Sequence, residues 1–408
     1  LTVAAGDDVI FGENTNGTAD DAQGLGAATT LTILGGNSLS TFTVGDQDAG
    51  AADDLEAAVD VDASAFQGNV YLQFDVDVFS ATTDVDAGSL ATDTVYAQWN
   101  TAFTGALPLT GVETFIASID TSNDGSETYT FDIDGATGLK TIAVESAGAN
   151  TLVINDYIDS VTIQLGTDPD TAENSANQPF DAASSVDINL KSTGGSTDTV
   201  NIGLTDTDNK TETTDIDSAS TEKLNLILSD DAQDHKLDIA GVVASTNQKV
   251  SVTVTGGKAG EDLEITNNST TNNVIDADAA LSGLTISDRH SGAMTITGSS
   301  TETNNLRMEN PSDVLTSGSA ADDKLSVTKN AVLGGILVDL SSTTDQVTTF
   351  NGSSNSAIQK GFEDVDLTGY TGSFGADITA IKGGSDITGT PQADVITDGA
   401  GADIIRQS

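Results

Sequence analysis

Near the carboxyl end, Gly389-Thr-Pro-Gln-Ala-Asp394-Val-Ile-Thr-Asp398-Gly-Ala-Gly401-Ala-Asp403-Ile-Ile405 reads as two consecutive nine-residue units. Each carries an Asp at its sixth position and a branched aliphatic at its eighth. Residues two apart share a face of a strand, so Asp394 points with Ile396, and Asp403 with Ile405. The spacing places the aliphatic in a core and the Asp at the mouth of a turn. Gly399 and Gly401 let the turn backbone reach positive φ and present its carbonyls. A chain of such units is expected to wind into stacked coils of parallel strands.

Stacked strands lie about 4.8 Å apart. Carboxylates and turn carbonyls of neighbouring coils can therefore surround one hard cation. Calcium, which takes six to eight oxygens at about 2.3–2.6 Å, suits such a site. The units are close to G-G-x-G-x-D-x-U-x, the repeat of calcium-binding parallel β-rolls. Echoes of the pattern recur. Val3-Ala-Ala-Gly6-Asp-Asp8-Val-Ile10 and Gly318-Ser-Ala-Ala-Asp-Asp323-Lys-Leu325 keep the Asp and the aliphatic in phase. Gly194-Gly-Ser-Thr-Asp198-Thr-Val200 has shifted glycines, and Gly256-Gly-Lys-Ala-Gly260-Glu-Asp262-Leu263 has its Leu one place early. Ordinary Asp/Gly turns between strands favour the same residues.

Composition narrows the partners. Sixty-three acidic residues against 14 basic ones give a formal net charge of −49, which repels nucleic-acid phosphate and anionic lipid. Charge of that size with low hydrophobicity usually means disorder. Here 37% of residues are hydrophobic, and they fall in alternating runs. The absence of Cys excludes thiol catalysis and zinc–cysteine sites, and leaves cations as the cross-links available to a secreted protein. There is no apolar run long enough to span a membrane. The chain begins at Leu1 without a signal peptide and reads as a processed form or a segment of something longer.

Short segments rich in β-branched residues predict strands at Thr30–Leu34, Val70–Val78, Tyr129–Ile133, Val161–Leu165, Leu224–Leu228, Val250–Val254 and Ile336–Leu340. Short helices are expected at Ala51–Ala58, Tyr96–Phe103 and Ser356–Phe362. A phrase of Gly, apolar residue and alternating run recurs at Gly111-Val-Glu-Thr-Phe-Ile116, Gly138-Leu-Lys-Thr-Ile142, Gly283-Leu-Thr-Ile286 and Gly361-Phe-Glu-Asp-Val-Asp-Leu367. It fits one rung of a solenoid of drifting rung length; unrelated strands of a sandwich would read similarly. The polar stretch 166–179, with two prolines, marks a boundary, and Asn310–Pro311 a second break. The expectation is an all-β chain: residues 1–170 as a more irregular, β-rich N-terminal domain with a few short helices, and residues 171–408 as a parallel β-solenoid ending in the tandem repeats.

From Gly318 to Ser408 the chain resembles the secreted RTX-type calcium-binding proteins, and among them the bacterial surface-layer proteins. The resemblance rests on Gly361-Phe-Glu-Asp-Val-Asp-Leu-Thr-Gly369-Tyr, Ile378-Thr-Ala-Ile, Gly383-Gly-Ser-Asp-Ile387 and the tandem units. It implies a secreted bacterial cell-surface protein that binds several calcium ions and self-associates into a lattice or filament, with cell-surface polysaccharide as a candidate partner. It implies calcium ligands at Asp394 and Asp403, with carbonyls near Gly399 and Gly401 and with Asp398 beside them; Asp8, Asp323, Asp198 and Asp262 follow. Toxin-type members carry long repeat arrays, whereas this chain has one tandem pair and scattered singles.

Enzymatic readings are weak by comparison. Asp288-Arg289-His290 is the one place where acid, cation and imidazole adjoin, and neighbours on a strand point to opposite faces. Asp60/Asp62, Asp75/Asp77, Asp132/Asp134 and Asp215/Asp217 imitate acid/base pairs, which need one pKa raised by burial. The sequence favours a structural, non-enzymatic protein. A ligand-binding segment of a secreted RTX adhesin or exoprotein is the alternative, and a calcium-dependent carbohydrate-active enzyme is the more distant one.

Overall fold

The computed structural model describes residues 2–5, 9–11, 30–44, 55, 59–74, 77–88, 92–99, 101–119, 127–146, 150–165, 185–193, 197–204, 214–229, 234–244, 248–267, 274–289 and 292–408. Every element named among them is a β-strand. The chain forms two compact units, Leu1–Asp208 and Asn209–Ser408. The polar stretch 166–179 lies outside the described residues. Asn310–Pro311 is not a break; it sits at a corner within the second unit, between strands Asn305–Met308 and Val314–Thr316.

Among the described residues of the first unit, successive strands do not pair with each other. Thr94–Trp99 pairs with Thr114–Ile119, which pairs with Thr141–Ser146, and that with Thr162–Leu165, all parallel and in register. A second ladder runs Thr104–Ala106, Thr128–Asp132, Thr151–Tyr157 and Ser185–Leu190. A third joins Thr2–Ala5, Thr30–Gly35, Asp60–Phe66, Val85–Asp86 and Leu109–Thr110. The chain thus visits different ladders in turn and returns one coil later, which is solenoidal winding. In the second unit, His235–Val243, Asp262–Asn267 and Gly283–Arg289 are parallel neighbours in one ladder. Ser251–Gly256, Val274–Asp276 and Thr295–Thr297 are parallel neighbours in another. One coil of this unit carries an inserted hairpin: Val347–Phe350 lies antiparallel to both Ile336–Asp339 and Ser353–Ser354.

Period-two alternation produces this packing. In Thr94–Trp99 the residues Val95, Ala97 and Trp99 are buried while Thr94, Tyr96 and Gln98 are only partly so. That pattern overrides the helix expected at Tyr96–Phe103. A helix would have turned Ala97 or Trp99 away from the core. Ser356–Phe362 is likewise not helical; it holds the short strand Gln359–Lys360, with Gln359 fully buried. Of the segment Ala51–Ala58 only Leu55 is described, as a parallel bridge to Phe74.

Inside the first unit, aromatic rings from successive coils stack. Trp99 meets Phe79, Phe103, Phe115 and Phe131 at centroid distances of 5.0–6.1 Å. Its indole N–H donates to the Phe79 carbonyl at 3.2 Å. Burial of each such side chain contributes about 1.5–3 kcal/mol.

Candidate functional site

The tandem units occupy opposite sides of a coil. Strand Val395–Thr397 pairs with Ala376–Thr379, whereas Ile404–Arg406 pairs with Asp386–Thr388 in a different sheet. Two nine-residue units therefore make one coil. Asp394 Oδ1 accepts the Ala376 N–H at 2.7 Å, and Asp403 Oδ1 accepts the Ser385 N–H at 2.8 Å, each from 18 residues back. The aspartates sit where the turn opens into the strand and join consecutive coils.

The two sites differ in what else they hold. At Asp394, Oδ1 also accepts the Thr390 hydroxyl at 2.7 Å and Oδ2 accepts the Thr390 N–H at 2.9 Å. Three protein donors thus share its two oxygens, against two backbone donors at Asp403, which leaves Asp394 fewer free lone pairs for a cation. At Asp403, Oδ2 accepts the Gly399 N–H at 3.0 Å, and the exposed Asp398 carboxyl hydrogen-bonds the same side chain. That contact raises the Asp398 pKa and lowers that of Asp403. Gly399 and Gly401 pack against the corner one coil back. A Cβ on Gly399 would lie 1.9 Å from the Ile381 carbonyl oxygen, and one on Gly401 2.2 Å from the Gly384 nitrogen. Asp398, Asp403 and this glycine corner have the hard oxygen chemistry that suits calcium. Among the described residues, no three His, Cys, Asp or Glu side chains group so as to hold a metal ion.

The aliphatics of the last coil depart from expectation. Ile405 is 52% exposed and Ile396 half-buried, while their partners one coil back, Ile387 and Ile378, are fully buried. An aliphatic in phase becomes core only when a further coil lies over it.

The weaker echoes sort individually. Asp323 is fully buried and caps its neighbour: Oδ1 accepts the Asn304 N–H at 2.7 Å and the Asn304 side-chain amide at 3.1 Å. Burial pushes its pKa up, against the pull of those donors. Asp198 is half-buried just before strand Thr199–Leu204. Asp262 opens its strand, donating its N–H to Asp234 at 2.8 Å; although the residue as a whole is exposed, partial desolvation of its carboxyl, then the charge of Asp234, raises its pKa. Asp8 lies outside the described residues, as does His290. Asp132 closes a tight turn by accepting the Asp134 N–H at 3.0 Å, and Asp62 does the same for Ser64 at 3.2 Å.

Sequence reasoning found Asp323 but missed other fully buried members of this system. Asp93 is fully buried; its Oδ1 accepts the Val70 N–H at 2.7 Å, and its own N–H donates to Glu113 Oε2 at 3.0 Å. The second unit repeats the arrangement. There the Asp323 N–H donates to Glu363 Oε2 at 3.2 Å. In both, the glutamate's N–H returns to the aspartate's carbonyl, at 3.1 Å for Glu113 and 2.9 Å for Glu363. Glu113 and Glu363 hold the same place in the phrase Gly-apolar-Glu. That shared phrase was the available signal. Asp313 is also buried, accepting N–H groups of Met294, Glu309 and Asn310 at 2.8–3.0 Å.

No family model, curated protein or solved structure matches the chain. Among the described residues no helix is long and apolar enough to cross a membrane.

Proposed function

We propose that this chain is a structural building block of an extracellular bacterial surface assembly, and that calcium promotes its self-association. The observation that carries the reading is the one-coil link made twice in the tandem repeat, Asp394 to Ala376 and Asp403 to Ser385. A fold made by repeating such links extends in one direction and leaves strand edges at its ends, which favours association with like elements. The acidic excess supports the same reading, because surfaces at net −49 repel one another until divalent ions bridge them. Asp398 and Asp403 are the residues best placed to take part, with turn carbonyls beside them. Asp394 is the less available ligand, because three protein donors already share its carboxylate.

Electron microscopy of the purified chain with calcium, then with a chelator, tests the proposal. Ordered sheets or filaments that form with calcium and dissolve with the chelator are expected. Monomers under both conditions overturn it.

A further inference from the structure

The Asp93 site does something the repeat chemistry does not require. Its carboxyl is fully buried, at 0% exposure, and its Oδ1 is held by the Val70 N–H of the preceding coil. Its Oδ2 is buried too and has no hydrogen-bond partner among the described residues. The next coil contributes a second carboxyl, Glu113, which is 8% exposed and holds the Asp93 N–H. Other ionisable side chains on the packed elements are Tyr71 on strand Asn69–Phe74, Tyr96 on Asp93's own strand, and Lys140 one coil beyond Glu113. Lys140 reaches Glu113 only at 3.9 Å and is itself largely exposed, so it neutralises little at Asp93.

An ionised Asp93 would leave a negative oxygen buried without a donor, next to a second acid. Burying an uncompensated charge is costly, and such a group takes up a proton instead. We propose that Asp93 is a proton-operated latch: as the neutral acid it locks three consecutive coils together through Val70, Asp93 and Glu113, and its ionisation loosens them. Burial, followed by the Glu113 charge and opposed by the Val70 N–H, pushes the carboxyl from 3.8 up to about 7. The sign follows from linkage. Between those values the folded chain holds a proton that the unfolded chain has released, so stability falls as pH rises through the window and the loss is complete above about 7. Burial also pushes Glu363 up to about 7, so the difference between wild type and Asp93→Asn, rather than the wild-type profile alone, isolates Asp93.

The test compares melting temperature from pH 5 to pH 8 for the full chain and for Asp93→Asn, which keeps the acceptor for Val70 and removes the titration. Hydrogen exchange of the segment 69–74 is followed in parallel and corrected for intrinsic rate. The wild type is expected to lose stability and roughly tenfold of its protection in that segment across the range. Asp93→Asn should match it at pH 5 and exceed it at pH 8. Parallel profiles for the two proteins overturn the proposal. Should Asp93→Asn fail to fold, Glu113→Gln decides. Removing the neighbouring charge must shift the midpoint of the stability loss to lower pH, and an unmoved midpoint overturns the latch.

Discussion

Asp394 accepts the backbone N–H of Ala376 across one full coil, at 2.7 Å. The same carboxylate ties down both the N–H and the hydroxyl of Thr390 in its own turn. Asp394→Ala is therefore expected to lose about 1–3 kcal/mol, the cost of leaving such donors unmet at a half-buried site. Asp394→Asn should lose less, since its amide oxygen still serves Ala376. Chemical denaturation measures the difference, and the loss of exchange protection should centre on Ala376–Thr379.

The aromatic stack rests on Trp99. Trp99→Ala empties a site bounded by four rings and leaves the Phe79 carbonyl without its donor. A loss of about 3–5 kcal/mol is expected, as for other large-to-small core changes. Trp99→Phe should recover part of it. Denaturant midpoints for the two variants check the order.

Corner glycines give a graded comparison. Gly111 has φ +69°, and a Cβ there would meet the Gly88 carbonyl oxygen at 1.8 Å. Gly260 has φ +87° with nothing within 4 Å of that position. Gly260→Ala should cost only left-handed strain, about 1–2 kcal/mol. Gly111→Ala adds a backbone collision between coils and should cost measurably more, or prevent the native stack from closing. Equal melting temperatures for the two variants would contradict the described spacing of the corners.

Calcium should act through Asp398 and Asp403 more than through Asp394, whose carboxylate already serves three protein donors. If the ion binds the folded corner, calcium at about one hundred times its dissociation constant adds about 2.7 kcal/mol of stability. The double change Asp398→Asn with Asp403→Asn should abolish that increment, while Asp394→Asn should preserve it. Isothermal titration and thermal melts with and without chelator read both effects. Loss of binding with Asp394→Asn alone would return that residue to the metal.

How much was legible in the sequence varies by residue. Strands Thr30–Gly35, Lys223–Leu228 and Ser251–Gly256 were evident within a residue or two, because alternation of apolar and polar side chains is local. Tyr96–Phe103 misled because Ala, Gln and Trp are compatible with a helix, and only the neighbouring strands Asn69–Phe74 and Thr114–Ile119 show which face is buried. The hairpin at Val347–Ser354 was missed, and with it the reason that 40 residues separate Asp323 from Glu363 where 20 separate Asp93 from Glu113.

By itself the sequence determined that the chain is all-β, that it repeats, that Asp and Gly mark its turns, and that it is strongly acidic. These follow from periodicity, spacing and counting, which need no neighbours. Only the tertiary structure decided what each carboxylate does: Asp394 caps a backbone, Asp398 lies against Asp403, and Asp93 is sealed beside Glu113. Identical residues in similar phrases take different roles because a carboxylate's state depends on which donors the adjoining coil brings to it. That coil is 18 or more residues away along the chain.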